Sequence, residues 1–589
     1  VFLLLEQQSC EEVAKLRNCG GMRESVSWSV RMQSSATPRS DSPATAWSTR
    51  VFGAIAFAAL LGILPLLIKG NVAAHDLQFH IASWTEVAQQ WRHGIVWPRW
   101  AAGANYGFGE PRFIFYPPLS CLLGGFLALW FPVRALPVIF SFIAFFAAGC
   151  GMFALARKFL AENFAIAAAV LYALNPYHLI TVYWDFRVAE MLASAAFPVA
   201  ILYALECKEK AWRKALQLSL TVAAVWLANA PAGVMLMYTL ALLLCVLAFL
   251  ERSIRPLLYG ASGILLGLGL AGFYIIPAAY EQSWVNILGI FGSGLSPKEN
   301  FLFSVATDAP HTYFNFLVSG IALEQVALFA FAAFFALRSE RLHRRGAAAI
   351  VIMGSFGAFM MFKVSLWLWS LPKMQFVQFP WRWMLAVNVA LALLGMLAIR
   401  QARLQWIWTL VILAFLGFTV RDVIRQATWG RRAVAEIYWS TSANGYRGAK
   451  EYLPADVHLP PKPYVIPEVP PAELKCEIPC AQDTMKVTRW SEEEKLLRVK
   501  TAVPAVVTLK LYDYPAWRAE IDGKPATPEA TYGGSLKLDV PPGDHELRIW
   551  FSRTPDRTAG MAISLLSAMI LLALIYLAER RNPPNLASN

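Results

Sequence analysis

The sequence predicts a polytopic α-helical membrane protein with a small external β-sandwich domain before its last span. Three observations predict it. Apolar runs of about 20 residues, enough to cross a bilayer, recur over most of the 589 residues. Only 15% of the residues are charged, where a soluble chain carries roughly 25%. Toward the C-terminal end the long apolar runs stop, and an alternation of apolar and polar residues takes over.

Residues 1–50 are polar and Ser-rich and begin on Val. They are expected to be a disordered cytoplasmic tail, with Met22 and Met32 as alternative starts. The first span is 51–68. A polar, aromatic-rich external loop, 69–117, follows it. Further spans lie near 164–182, 188–205, 215–229, 232–250, 257–277, 316–337, 347–368, 383–399 and 405–420, with the final one at 558–578 and a cytoplasmic tail at 579–589. Between 113 and 156 two apolar segments flank "FPVRALP", and one of them is expected to be short or re-entrant. The count is about 12–13 spans at about 20 residues each. The multispan domain is thus 51–420.

The net charge of +13 raises nucleic acid as a partner, and its distribution excludes it. The basic residues sit in short clusters between apolar runs, such as "KEKAWRK" (208–214), "RSERLHRR" (338–345) and "RQAR" (400–403). Clusters of that kind mark the cytoplasmic side and contact with membrane lipid. Loops 69–117, 280–315 and 369–382 and the 183–188 corner then share the outer face, with 280–315 a candidate lid.

Residues 421–557 are expected to form an external, mainly β domain. "LLRVKTA", "AVVTLKLYD", "AWRAEID", "SLKLDV" and "HELRIWF" alternate as half-buried strands do. Asp522-Gly523 and Pro541-Pro542-Gly543-Asp544 supply turn chemistry. Of eight cysteines, Cys476 and Cys480 in "CEIPC" are placed for a disulfide in an oxidising compartment.

Ionisable groups at a membrane boundary are costly and mark function or solvent. "AAHDLQFH" puts His75, Asp76 and His80 where the chain leaves the first span. Asp76 and His80 share a helix face at four apart. Such a carboxylate can accept a proton or hold a divalent cation; the blander alternative is a solvated loop. "GANYGFGEPRFIFYPPLS" adds Glu110 and Arg112 among aromatic faces that suit sugar rings or an interfacial belt. "YWDFRVAEM" offers Asp185, Arg187 and Glu190, either as an ion pair or as a phosphate site. "LPKMQFVQFPWRW" places Lys373 and Arg382 against the positive-inside trend, suiting a lipid phosphate or simple snorkelling. Glu281 and His311 stand at the ends of loop 280–315 and are expected to face the cavity.

The order "HDLQFH", "NYGFGEPRFIFYPPLS", "DFRVAEMLASAAFP", "MQFVQFPWRW" resembles the bacterial membrane-protein family labelled 6-pyruvoyl-tetrahydropterin-synthase-related. That label is historical, and no residue here points to pterin chemistry. "YDYPAWRAEIDGKPA" and "VPPGDHELRIWF" before a final span resemble the tail of YfhO-type membrane proteins. Both groups are similar to the GT-C glycosyltransferase superfamily. The resemblance implies an enzyme of the bacterial cytoplasmic membrane that takes a sugar from a polyprenyl-phosphate donor on the periplasmic face. The acceptor would be an envelope glycan, lipid or protein. It implies Asp76 as the essential acidic residue of the first loop and Asp185, Arg187 or Glu190 as a second group from the next external corner; His75, His80, Glu110, Arg112, Glu281, His311, Lys373 and Arg382 are candidate substrate-binding groups from their positions in the loops. Many GT-C enzymes carry two neighbouring acids in this loop. Here His75-Asp76 takes their place, which leaves a divalent metal (Mg or Mn, with Asp76 its ligand) an open expectation. The rival classes are a flippase or transporter of lipid-linked saccharides and a non-catalytic envelope-assembly scaffold.

Overall fold

The computed structural model of the chain describes residues 47–581, apart from 208–210, 293, 339–343, 402–404, 431–433, 439–444, 456, 458–469 and 477–483. The apolar runs fold as helices because backbone N–H and C=O groups in lipid find partners only within the segment. In order these are α1 (Thr49–Lys69), α2 (Leu77–Arg92), the single turn α3 (Arg112–Phe115), α4 (Pro118–Trp130), α5 (Leu136–Ala156), α6 (Glu162–Ala173), α7 (Pro176–Tyr183) and α8 (Val188–Leu205). They continue as α9 (Ala211–Ala228), α10 (Ala230–Glu251), α11 (Arg255–Leu270), α12 (Gly272–Tyr280), α13 (Ala309–Leu337), α14 (Arg344–Met360), α15 (Met384–Gln401) and α16 (Gln405–Gln426). A last described helix, Pro555–Arg581, follows the sheets.

Among the described residues, eight helices are long and apolar enough to cross a membrane, or up to ten if each of two bent pairs counts as one span. The other segments read as spans differ individually. α4 has 13 residues, about 20 Å of helix against a hydrocarbon core of about 30 Å, and is the short member of the 113–156 pair. α9 carries Arg213 and Lys214 in its first turn, and α16 adds a 22-residue helix that runs on to Gln426. α15 is the axis of the bundle, and residues 380–400 are almost wholly buried.

Broken spans leave backbone groups without helical partners, and side chains take them up. α11 and α12 meet at 73°, and α14 turns through 97° into a 3-10 helix at Lys363–Ser370. At the first bend Ser564 of the last helix donates to the Gly269 carbonyl (3.0 Å) and accepts from the Phe273 N–H (2.8 Å). A third break separates α6 from α7. There Asn175 accepts from the His178 N–H (3.0 Å), and Pro176 takes the first helical position, the usual restart chemistry. Asn388 of α15 donates to Asn175 Oδ1 (3.2 Å) and ties this break to the axis.

The strand alternation is realised as two antiparallel sheets, ordered β1-β4-β8-β7 and β2-β3-β9-β5-β6. Their strands are β1 (Ala472–Cys476), β2 (Thr484–Trp490), β3 (Glu494–Thr501), β4 (Ala505–Tyr512), β5 (Trp517–Ile521), β6 (Lys524–Ala526), β7 (Glu529–Ala530), β8 (Ser535–Val540) and β9 (Gly543–Phe551). Leu497 and Val499 of β3, Val507 and Leu509 of β4, Leu538 of β8 and Ile549 of β9 meet in one core. The β5–β6 hairpin turns at Asp522-Gly523, both with positive φ, as a two-residue hairpin requires. The expected Cys476–Cys480 bridge falls outside the described residues. Loop 280–315 is fastened rather than free: Asn286 N–H donates to Leu453 C=O (2.9 Å), Gln378 to Ile290 C=O (2.9 Å) and Leu302 N–H to Met361 C=O (3.1 Å).

The sandwich sits on the first loop. Arg99 donates twice to Glu493 (2.9 and 2.6 Å). His93 pairs with Glu492 (2.9 Å). Trp100 packs against Tyr514, Trp517 and Phe551. A second tie joins sandwich and bundle. Arg557, at the start of the last helix, grips both oxygens of the buried Glu281 (2.7 Å each), and Tyr514 donates to the same carboxylate (2.5 Å). Breaking such a pair by removing one partner strands a buried charge, which costs about 3–5 kcal/mol. Arg557→Met should therefore lower thermal stability in detergent by that order. The double variant Arg557→Met, Glu281→Gln should recover most of the loss; a double variant no more stable than the single would show that the pair is not what holds this junction.

Candidate active site

Asp76 is the N-cap residue immediately before α2, where the chain turns out of the bundle. Its N–H donates to the Asp185 carbonyl (2.9 Å), so the first loop and the α7–α8 corner are joined through the main chain. The corner is sharp because Phe186 adopts a positive φ. From there a chain of charges runs inward. His75 Nδ1–H donates to Asp76 Oδ1 (2.8 Å). Arg187 donates from Nε to Asp185 Oδ2 (3.0 Å) and from Nη1 to Glu190 Oε2 (2.6 Å). Side-chain exposure falls along this series from 85% at His75 and 36% at Asp76 to 18% at Asp185, 7% at Arg187 and 2% at Glu190. The arrangement runs from water to the bundle interior through His75, the two adjoining carboxylates Asp76 and Asp185, then Arg187 and Glu190.

Glu190 is the inner hub. Tyr177 of α7 donates to its Oε1. Arg382, just before α15, stands 3.2 Å from Oε2; the charges attract, although the Nε–H is not aligned for a hydrogen bond. Arg382 is held instead by the Val377 carbonyl (2.8 Å). The Arg187 guanidinium lies over the Trp381 ring at 4.6 Å, and its buried Nη2 has no protein partner among the described residues. Burial would raise the Asp76 carboxyl, but the hydrogen bond and charge of His75 hold it below its ordinary value. The same hydrogen bond lifts His75. Burial lifts Asp185 above the usual carboxylate range despite the adjoining Arg187.

The structure therefore brings together His75, Asp76, Asp185, Arg187, Glu190 and Arg382 from three separate stretches of sequence. Most of the other expected site residues have structural partners instead. Glu281 does not face a cavity: both oxygens are taken by Arg557 and Tyr514. His311 bonds Asn300 (2.9 Å). Lys373 reaches Gln282 (3.4 Å) and Phe376. Glu110 and Arg112 are a buried pair (2.7 Å) that fastens the first loop, so their charges are already matched. His80 is fully buried, and neither ring nitrogen has a partner among the described residues. Burial pulls it down to about 4, which keeps it neutral at physiological pH.

Several groups were not singled out from the sequence. Tyr177 and Trp381 belong to the Arg187 setting; the Asn175-Pro176 restart signal was available for the first. A strap of residues 445–455, leading to the sandwich, is a further wall. Tyr446 donates to Glu86 Oε1 (2.9 Å), Ala449 N–H donates to Glu110 Oε2 (2.9 Å), and Tyr452 stacks on Phe115 at 5.7 Å. Burial pushes the Glu86 carboxyl up to about 7. Gly448 permits the contact, since a Cβ there would lie 2.2 Å from Glu110 Oε2 and 2.4 Å from Asn105 Oδ1. Gly448→Ala should force the strap off Glu110, at about 1–3 kcal/mol for overpacking. Limited proteolysis should then cut near 445–455 faster than in wild type; an unchanged rate would mean that the strap absorbs the methyl group.

The donor set does not fit a resident metal ion. Among the described residues no group of three or more His, Cys, Asp or Glu side chains is arranged to hold one. Asp76 is engaged by His75, and Asp185 by a guanidinium.

Among solved structures, the chain is similar to the arabinofuranosyltransferase AftD from Mycobacteria. Identity is 17% and the TM-score 0.44, over 64% of this chain and 27% of that one. It is similar to ArnT from Cupriavidus metallidurans bound to undecaprenyl phosphate (14%, TM-score 0.44, 62% of this chain and 63% of that one). It is also similar to the Archaeoglobus fulgidus oligosaccharyltransferase (12%, TM-score 0.40, 67% and 58%). The chain thus spans about a quarter of the length of AftD and under two thirds of the other two. A comparison with curated proteins finds no match. Residues 113–429, more than half of the chain and including the α7–α8 corner and Arg382, match the membrane-protein family described as 6-pyruvoyl-tetrahydropterin synthase related domain, and the chain belongs to that family.

Proposed function

We propose that the protein is a glycosyltransferase of the bacterial cytoplasmic membrane. It moves a sugar from a polyprenyl-phosphate donor to an envelope glycan, lipid or protein on the outer face. The observation that carries this reading is the water-to-interior charge series. A half-exposed carboxylate, Asp76, stands at the bundle boundary, backed through Asp185 by the buried Arg187, whose Nη2 has no protein partner among the described residues. The GT-C resemblance of the first loop and of the corner motif supports it.

The chemistry is a single displacement. Asp76 takes the proton of the acceptor hydroxyl, and the freed oxygen attacks the anomeric carbon as the bond from that carbon to the phosphate oxygen breaks. The electron pair of that bond leaves on the phosphate, where Arg187 and Arg382 meet the developing charge. Preorganised cations in a water-poor site are worth far more than in water. Attack from the face opposite the leaving group inverts the anomeric centre. Glu190 and Trp381 keep the Arg187 guanidinium in one orientation.

The pH dependence follows from the His75–Asp76 bond. A base whose proton affinity is depressed stays ionised to lower pH, and activity is lost only as pH falls through that depressed value. Asp76→Asn should reduce sugar transfer by about 10²–10⁴-fold, the usual loss of a general base, with folding intact. His75→Ala should retain transfer but move the acid limb of the pH profile upward. Arg187→Lys should rescue Arg187→Ala only in part, since lysine lacks the planar fork. The assay is label transfer from polyprenyl-phosphate sugars by purified protein. Equal rates for Asp76→Asn and wild type would remove Asp76 from the mechanism.

A further inference from the structure

The strap is seated on the first loop at its Tyr446 end. The Tyr446 N–H donates to the Gly103 carbonyl (3.0 Å), and its own carbonyl accepts from the Tyr106 N–H (3.0 Å). Its hydroxyl donates to Glu86 Oε1 (2.9 Å), and the Arg112 guanidinium lies over its ring at 4.9 Å. The Gly103 N–H donates to the same Glu86 oxygen (2.7 Å). Glu86 of α2 thus holds both the strap and the loop segment on which the strap lies.

The other oxygen of that carboxyl group is left over. Glu86 Oε2 is buried and has no partner among the described residues. One turn further along α2, Gln90 is buried, and its Oε1 likewise has none. The Gln90 amide cannot turn round to help, because its Nε2 donates to the Trp100 carbonyl (2.9 Å). Side chains four apart on a helix meet, and these two reach the same stretch of the loop, 100–103. Two buried acceptors without a donor are costly. One proton on Glu86 Oε2 removes both deficits. The carboxyl group becomes a donor, Gln90 Oε1 becomes its acceptor, and Glu86 Oε1 still accepts from Tyr446 and Gly103.

The charges facing Glu86 do not replace that proton. Arg112 is spent on Glu110 (2.7 Å), Ser83 (3.0 Å) and the Phe79 carbonyl (3.4 Å). Glu110 adds a like charge, and burial keeps Tyr446 a neutral phenol.

We propose that the strap is fastened by a proton: Glu86 is protonated while Tyr446 is seated, and its ionisation releases this end of the strap from the first loop. The device does not depend on the reaction assigned to the site. It acts beside that site, since α2 begins directly after Asp76. Burial raises the Glu86 carboxyl to about 7, and release of the strap returns it toward its ordinary 4.5. A carboxyl raised by docking supports docking in full below the lower value and loses that support as pH climbs to the upper one. The strap is therefore fastened in acid and loosened toward neutral pH.

The full chain in nanodiscs would be followed by hydrogen exchange from about pH 5 to about pH 8, as protection factors, so that the chemical pH dependence of exchange divides out. In wild type, protection over 445–455 should fall by about tenfold to a hundredfold across that range, while β4 and β9 keep theirs. Glu86→Gln imitates the protonated acid, with Oε1 still accepting and Nε2 able to donate to Gln90. It should hold the strap at the acid level of protection throughout. Infrared difference spectra should show a protonated-carboxyl band that titrates near 7 in wild type and is missing from Glu86→Gln. Should Glu86→Gln fail to fold, Tyr446→Phe takes its place, and its strap should be weakly protected at every pH. Strap protection that stays level with pH in wild type overturns the proposal. So does a decline equally steep in Glu86→Gln, a strap as protected in Tyr446→Phe as in wild type, or a wild-type spectrum without the band.

Discussion

A charge taken out of water must have an opposite charge fixed beside it. The polar end of this bundle is built around that requirement at Arg187. Its guanidinium is gripped by Asp185 on the wet side and Glu190 on the dry side, with an aromatic face beneath it. Neither acid is free to take another position, because Asp185 is joined through its carbonyl to Asp76 and Glu190 is shared with Tyr177 and Arg382. The site's geometry is therefore a consequence of charge neutralisation. The desolvation cost of several kcal/mol per ion is what makes any looser arrangement unstable.

The same device appears three times. Glu190 joins α7, the corner before α8 and the entry to α15. Glu110 joins Arg112, Asn105 and the strap. Glu281 joins the end of α12, the sandwich and the last helix. Each is one buried carboxylate with both oxygens occupied, and each draws at least one partner from a distant part of the chain. Glu110 and Glu281 thereby tie the strap and the sandwich to the bundle, beside the apolar cluster in which Trp100, Ile114 and Phe115 pack with sandwich residues. Glu190 borders buried cationic nitrogens that lack partners among the described residues, whereas both oxygens of Glu281 are taken by Arg557 and Tyr514; under the proposed function the first serves chemistry and the second assembly.

That distinction was not legible in the sequence. Glu190 reads beside Arg187, three residues away, as an ion pair or a phosphate site, whereas Glu281 reads only as an acid at the end of a loop, because its partner is remote in sequence. Arg557 lies 276 residues from Glu281, and no periodicity links them. Asp76 was legible because its position at the end of the first span places it at the water boundary whatever the packing. β3, β4, β5, β8 and β9 were legible because one face is buried and the alternation follows; β6 and β7, of three and two residues, are too short to show it. β2 was not, since nearly every residue in it is exposed and no pattern is imposed. The strap escaped notice for a related reason: Tyr446, Gly448 and Ala449 acquire their roles only from the first loop they lie against.

The separation of Glu281 from its partner also has a meaning in time. The carboxylate is synthesised 276 residues before Arg557, about 14–55 s earlier at ordinary elongation rates. For that interval the C-terminal end of α12 carries an acid whose counter-ion does not yet exist, while at its other end the carbonyl and amide of the bend are likewise waiting for Ser564. The growing chain must keep this end of α12 in contact with water or with the insertion machinery until the last helix arrives. The final helix is thus more than an anchor for the sandwich: it is the event that lets the bundle close, and a chain interrupted before it would present an unpaired acid to the cell's quality control.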